Sequence, residues 1–345
     1  MFFTYPIRSI QNNWVHTCIE LAIRTICEAL DAGDAVPEWP AILPEDHREI
    51  LSSRRALRDR LTKFSDQAQR LSIAERADFI SAFRQQNQIA GLLDGSVDVP
   101  VVGEVLQPLL DAAKDVCEEG FALLGKLELR GPHYRIIYES MEIKVCPFCG
   151  MEAFENPDLV NEDEDHYLLR RAYPLAASNF ANLVPMGGKC NQRYKGQVDI
   201  LQSNGIRRKA LNPYGNITVA ISLLNSSFIG GVPNWQIDIT PAVEETDTWE
   251  QVFNVRERLV ENVLKPYFDT WLSELSDWFD FRHIDRNADF QALSSAMEAF
   301  VVYKTKHREI GAAFLKHKVF EFLTDKFKRG DERVVEMIRS CLPTT

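Results

Sequence analysis

Cys146-Pro147-Phe148-Cys149-Gly150 sets two thiols around a turn-forming proline and glycine. Thiolates at this spacing can both point at one ion, because the chain turns tightly around it. The competing chemistry is a redox dithiol, which requires a strand before the motif and a helix opening on it. The acidic stretch after Gly150 offers no such helix, so metal ligation is the expected role. Downstream lie Asp165-His166-Tyr167-Leu168, Tyr173-Pro174, Asn182-Leu183-Val184-Pro185 and Cys190-Asn191-Gln192-Arg193-Tyr194-Lys195-Gly196. Thiol, carboxylate, imidazole and amide groups thus share one short segment.

In this order the residues resemble the zinc-knuckle branch of the HNH endonucleases, whose core is a ββα-metal finger. The resemblance runs from Cys146 to Gly196, about 50 of the 345 residues. It implies that Asp165 and His166 lie on the first strand and that Asn191 opens the finger helix. It also implies that Asn182 braces the loop presenting the histidine. The implied activity is metal-dependent hydrolysis of phosphodiester bonds.

The residue chemistry agrees. Such hydrolysis needs a base to deprotonate water and a cation to neutralise charge on the phosphate and the leaving oxygen. A neutral imidazole, with an ordinary pKa near ~6.5, suits the first task, which makes His166 the candidate base. Asp165 and Asn191 supply hard oxygen atoms, which favour Mg²⁺ or Mn²⁺. Neighbours on a regular strand point to opposite faces, so Asp165 and His166 divide into ligand and base. The expected catalytic set is therefore Asp165, His166, Asn182 and Asn191. A surface histidine beside an acidic run is the plainer alternative for His166.

Charge reverses sharply across this segment. Met151 to Asp165 holds seven acids and no Lys or Arg, whereas Tyr167 to Lys209 holds eight bases against Asp199 alone. A basic patch beside a metal site would position a phosphate backbone. Arg193 and Lys195 are expected to steady the phosphate, with Arg170, Arg171 and Lys189 as further nucleic-acid contacts. A solvated basic surface is the competing reading. The acidic run reads as a loop, either shielding the site or simply solvated.

One departure concerns zinc. Four-cysteine members of this branch carry a second Cys-x-x-Cys before the final Asn, but here that run is Gly187-Gly188-Lys189-Cys190. Cys146, Cys149 and Cys190 remain, and structural zinc wants four ligands. His133 is the nearest upstream candidate for the fourth. The other cysteines (Cys18, Cys27, Cys117, Cys341) sit in helical patterns as small buried hydrophobes. His16, His47, His283, His307 and His317 read as surface or core residues. The aromatic stretch Tyr267, Phe268, Trp271, Trp278, Phe279 and Phe281 reads as helix core rather than a base-stacking platform.

Several elements must carry these residues. Residues 1–140 read as a helical domain, with apolar spacing at Trp14, Cys18, Leu21, Ala22 and Ile26. A proline-rich loop runs from Val36 to Pro44, and a charged helical stretch from Glu45 to Arg70 follows it. Ser72-Ile73-Ala74-Glu75 has the form of a capping box. Helices are expected from Gly103 to Gly125 and, more briefly, from His133 to Met141. Residues 141–212 form the expected nuclease domain. Residues 213–345 read as a β-hairpin, from Asn216–Leu223 and Trp235–Thr240, and then helices. The fold class is α+β, mostly α, with the finger embedded between helical regions.

Composition narrows the functional classes. Apolar residues make up 45% and charged residues 26% of the chain, which suits a globular protein with a real core. No apolar run approaches the ~18 residues of a membrane span, and the first residues lack a secretory pattern. Seven unevenly spread cysteines point to a reducing cytoplasm. A net charge of -11 argues against a protein that coats nucleic acid through its overall field. The expected function is a metal-dependent endonuclease acting on DNA. By family-level analogy it would be an effector of prokaryotic anti-phage defence beside a partner such as an ATPase. The alternatives are a free-standing nicking or homing-like nuclease and a non-catalytic finger serving as a binding or scaffold module.

Overall fold

In helix α1 (Trp14–Ala32) the residues Val15, Cys18, Ile19, Ala22, Ile23 and Ile26 fall on one stripe, and all are buried. The helix ends at Gly33, whose φ of 74° is open to glycine at little cost. This arrangement comes from a computed structural model that describes residues 3–159, 164–306 and 313–343. The charged stretch forms α2 (Glu45–Ser52) and α3 (Arg55–Ala68), with Leu57, Leu61, Phe64 and Ala68 turned inward. Helix α4 (Ile73–Asn87) opens on the expected capping box: Ser72 Oγ accepts from Glu75 N, and the Glu75 carboxylate accepts from Ser72 N at 2.7 Å. A short α5 (Ile89–Asp94) follows, then α6 (Gln107–Lys126) and α7 (Arg130–Ser140). Helix α6 begins later than Gly103, behind a 3₁₀ turn at Glu104–Leu106, and α7 begins three residues before His133.

The strands are short antiparallel pairs. β1 (Glu164–His166) pairs with β2 (Leu183–Pro185), and β3 (Gln202–Ser203) with β4 (Ile206–Arg207). The expected hairpin is present in outline, since β5 (Ala220–Ser222) pairs with β8 (Asp238–Thr240). A second pair, β6 (Ser227–Ile229) and β7 (Val232–Asn234), is inserted between them. Gly230 and Gly231 have φ of 59° and 84°, the consecutive positive values that a tight primed turn demands. Helices α8 (Glu244–Phe253), α9 (Val255–Leu259), α10 (Lys265–Phe281), α11 (Phe290–Lys306), α12 (Ala313–Lys328) and α13 (Glu332–Ser340) complete the chain. Phe268, Trp271 and Phe279 of α10 are buried as expected, while Tyr267 and Phe281 are exposed. Among the described residues no helix is long and apolar enough to cross a membrane.

The chain divides into two compact units, and the division differs from three consecutive segments. One unit comprises Thr4–Met141 and Glu155–Ile217; the other comprises Met1–Phe3, Glu142–Phe154 and Thr218–Thr345. The reason lies in burial. Leu175, Ala177, Phe180 and Leu183 join the same apolar core as α1, α3, α4 and α6, so the β1–β2 region folds with the first helices. The Cys146–Cys149 turn packs instead on α8, where Trp249 Nε1 donates to the Phe148 carbonyl at 3.1 Å and Phe253 meets the Phe148 ring.

Candidate functional site

The register of β1 and β2 places Asp165 opposite Val184 and His166 opposite Leu183. Beyond His166 the chain loops through residues 167–182 before returning as β2. Asn182, fully buried, ties that loop together: its Oδ1 accepts from Leu168 N at 2.7 Å, and its Nδ2 donates to Leu168 O at 3.1 Å and Ala176 O at 3.3 Å. The helices hold the loop from outside. Leu175 N donates to Gln86 Oε1 at 3.1 Å, Asn87 Nδ2 donates to Leu175 O at 3.2 Å, and His16 Nδ1 lies 2.9 Å from Ser178 Oγ. Gly120 of α6 permits the close approach, since a Cβ there would come within 2.3 Å of Ile19 and 3.0 Å of the Ser178 Cβ.

This held loop decides the tautomer of His166. Nε2 lies 2.9 Å from the Ala177 carbonyl. A carbonyl can only accept, so Nε2 carries the hydrogen and Nδ1 keeps its lone pair. The half-buried ring packs on Phe121 of α6, with centroids 4.5 Å apart. Burial pulls the imidazole pKa down to about 4, and the cations Arg170, Lys195 and Arg130 lower it further against the Ala177 bond. The ring is neutral at pH 7.

Asp165 lies beside Lys195, whose Nζ is 2.6 Å from Asp165 Oδ2 and donates to His166 O at 2.9 Å. Burial raises the carboxyl pKa, and the ammonium opposes that shift. Asn191 and Lys195 lie four residues apart in a π-helical turn, Lys189–Lys195, which stands where a finger helix is expected. Of these two, Lys195 is the one in contact with Asp165.

The basic stretch splits into structural and exposed members. Lys195 is fully buried, so it is not a surface phosphate contact; a desolvated ammonium needs its carboxylate and carbonyl partners. Arg207 and Arg208 are likewise turned onto backbone carbonyls, Arg208 onto Ile200 O at 2.9 Å and Asp199 O at 2.8 Å. Arg170, Arg171, Lys189 and Arg193 are exposed. Arg170 is 3.9 Å from Glu118, Arg171 donates to Gln197 O at 3.1 Å, and Arg193 lies over the Tyr194 ring.

The acidic run is not uniformly solvated. The side chain of Glu164 is buried, with its Oε1 2.5 Å from His133 Nδ1 and its Oε2 3.6 Å from Arg130 Nε. Glu162 and Asp163 lie outside the described residues, as does His307. His133 is excluded as a metal ligand, because its Nε2 is also engaged, by the Tyr214 hydroxyl at 3.0 Å. Sequence reasoning missed Phe121, Arg130 and Glu164. Only Glu164 had a local signal, its place beside Asp165; the other two belong to helices with no motif.

Cys146 and Cys149 are buried together on their turn, and Cys190 is buried in the other unit. The two thiols of the turn can supply ligands to a metal ion such as zinc. Cys18, Cys27 and Cys117 are buried, and burial raises their pKa values.

The clamp on the loop has a measurable signature in His16. Burial lowers its pKa to about 4, against a hydrogen bond with Asn87 that raises it. The unfolded chain takes up this proton near pH ~6.5, but the folded chain does so only near the lower value. The stability it contributes is therefore full above the unfolded pKa and lost as pH falls through that window. A shift of this size corresponds to about 3 kcal/mol. The stability gap between the native protein and His16→Asn should narrow in urea titrations as the pH is lowered from neutrality. A gap that stays constant with pH would refute the buried neutral imidazole.

No family model, no curated protein and no solved structure matches the chain.

Proposed function

We propose that the protein is a metal-dependent endonuclease that hydrolyses phosphodiester bonds in DNA, with His166 as general base. The observation that carries this reading is the Ala177 carbonyl on His166 Nε2, which leaves Nδ1 as the basic nitrogen on a fixed ring. Nδ1 takes a proton from water; the water oxygen bonds to phosphorus, the opposite P–O bond breaks, and the leaving oxygen is then protonated. In this reading the Asp165 carboxylate and the Asn191 amide would supply hard oxygen donors of the kind that suit Mg²⁺ or Mn²⁺. When bound there, such an ion would neutralise charge on the phosphate and leaving oxygen. Asn182 and the residues that grip the 174–179 loop hold the Ala177 carbonyl in place, and so hold the ring.

A second reading is favoured by the Lys195 contact. An ammonium already neutralises Asp165, as it would in a non-catalytic module that uses the pair for stability alone. Incubating the full chain with plasmid and Mg²⁺ or Mn²⁺, beside His166→Ala, separates the two. Loss of a general base should slow cutting about 10²- to 10⁴-fold. Cutting that persists unchanged in His166→Ala removes His166 from its role. A wild-type protein that binds plasmid without cutting it in either metal favours the scaffold.

A further inference from the structure

The geometry points to Arg130 as a phosphate-positioning residue of this same site, presented by the first residue of α7 and not by the β1–β2 segment. The inference rests on the nuclease reading and adds the residue that would grip the DNA backbone beside the base. The Arg130 guanidinium carbon lies 4.0 Å from the centroid of the Phe121 ring, and that ring is the one packed on His166. One aromatic side chain thus touches both the proposed base and a cation. Stacking on a ring holds the flat guanidinium in place while leaving its edge donors open.

Arg130 pairs with Glu164 only loosely, without a hydrogen bond. Its Nε stays 3.6 Å from Glu164 Oε2, beyond a normal hydrogen bond, while the other carboxylate oxygen is held by His133 at 2.5 Å. Nε is buried and has no hydrogen-bond partner. The side chain is one-third exposed, at 33%, although its base is fixed by the ring and the carboxylate. A guanidinium has five donors in a rigid fork that matches phosphate oxygens two at a time. Held on Phe121, the ring that also packs on His166, and one-third exposed, that fork suits the non-bridging oxygens of a DNA phosphate. Arg170, also exposed and close enough to act on His166, adds charge from a second side but is half exposed and weakly tied to Glu118.

The test is binding, measured without metal so that no cleavage intervenes. A fluorescent DNA duplex is titrated with the full chain by anisotropy, between about 50 and 200 mM salt. Arg130→Gln should weaken binding about 5- to 10-fold and flatten the dependence of log K on log salt by about one unit. Arg130→Lys should restore that slope, because the charge returns. It should not restore the cleavage rate, because the planar fork does not return. Phe121→Leu removes the perch and keeps the charge, so it should weaken binding with the slope intact; it also serves if Arg130→Gln fails to fold. Arg329→Gln, at an exposed arginine just past the end of α12, is the control and should change nothing. Arg130→Gln and Phe121→Leu variants that bind as the wild type does, with the same slope, overturn this role and leave the nuclease reading standing. A wild-type chain that binds no duplex overturns both.

Discussion

Replacing Lys195 by methionine should destabilise the unit that contains it by about 3–5 kcal/mol, the usual cost of stripping one partner from a buried ion pair. The ammonium is fully buried, and the Asp165 side chain that it meets at 2.6 Å is only 16% exposed. Methionine fills similar volume, so the loss reports the stranded carboxylate and the His166 carbonyl left without its donor. Without the ammonium, the carboxyl pKa, already raised by burial, rises further. The double variant Asp165→Asn/Lys195→Met should recover most of the loss, because it removes the uncompensated charge. Urea unfolding of the single and double variants measures the coupling directly. A single-variant loss below about 1 kcal/mol, the scale of a surface pair, would show that the pair is hydrated and not structural.

Asn182→Ala should be nearly as costly and should also reach the chemistry. Three hydrogen bonds disappear at once, and they join Leu168 N, Leu168 O and Ala176 O across a fully buried side chain. Each buried group left without a partner costs about 1–3 kcal/mol, so the total should be about 3–5 kcal/mol, some of it recovered by relaxation. Asn182→Asp should be no better. It keeps the acceptor for Leu168 N but turns a carboxylate towards two carbonyls. The link to function is short, because Ala176 precedes the residue whose carbonyl fixes His166. At temperatures where the variant is still folded, cleavage should fall further than DNA binding, since the ring loses its fixed tautomer while the exposed arginines remain. Wild-type stability in Asn182→Ala would mean that the 167–182 loop is held by its helical contacts alone.

These variants touch residues of very different legibility. The Ser72–Glu75 capping box, the buried stripe of α1 and the turn at Cys146–Cys149 are all expected from short stretches of chain, and all are present. The strand at Asp165–His166 is what the resemblance implies, while its pairing with Leu183–Pro185, expected as a turn, appears only in the fold. The β5–β8 pairing is foreseen from alternation, but the β6–β7 insertion is not, because both stretches offer the same short β-prone pattern.

Lys195 shows where linear reading stops. Along the chain it is one base among eight, next to Arg193, and nothing in its neighbours distinguishes the cation turned inward from the cation left in solvent. Phe121 and Arg130 are equally silent, since each is an ordinary helical residue until folding brings it to His166. Capping, helical stripes and knuckle turns depend on atoms within a few residues, so residue order alone specifies them. Burial of a charge, the tautomer of an imidazole and the partners of a carboxylate depend on which distant atoms exclude water around them. Those properties belong to the packed loop and its helices, and they exist only once the chain has closed around them.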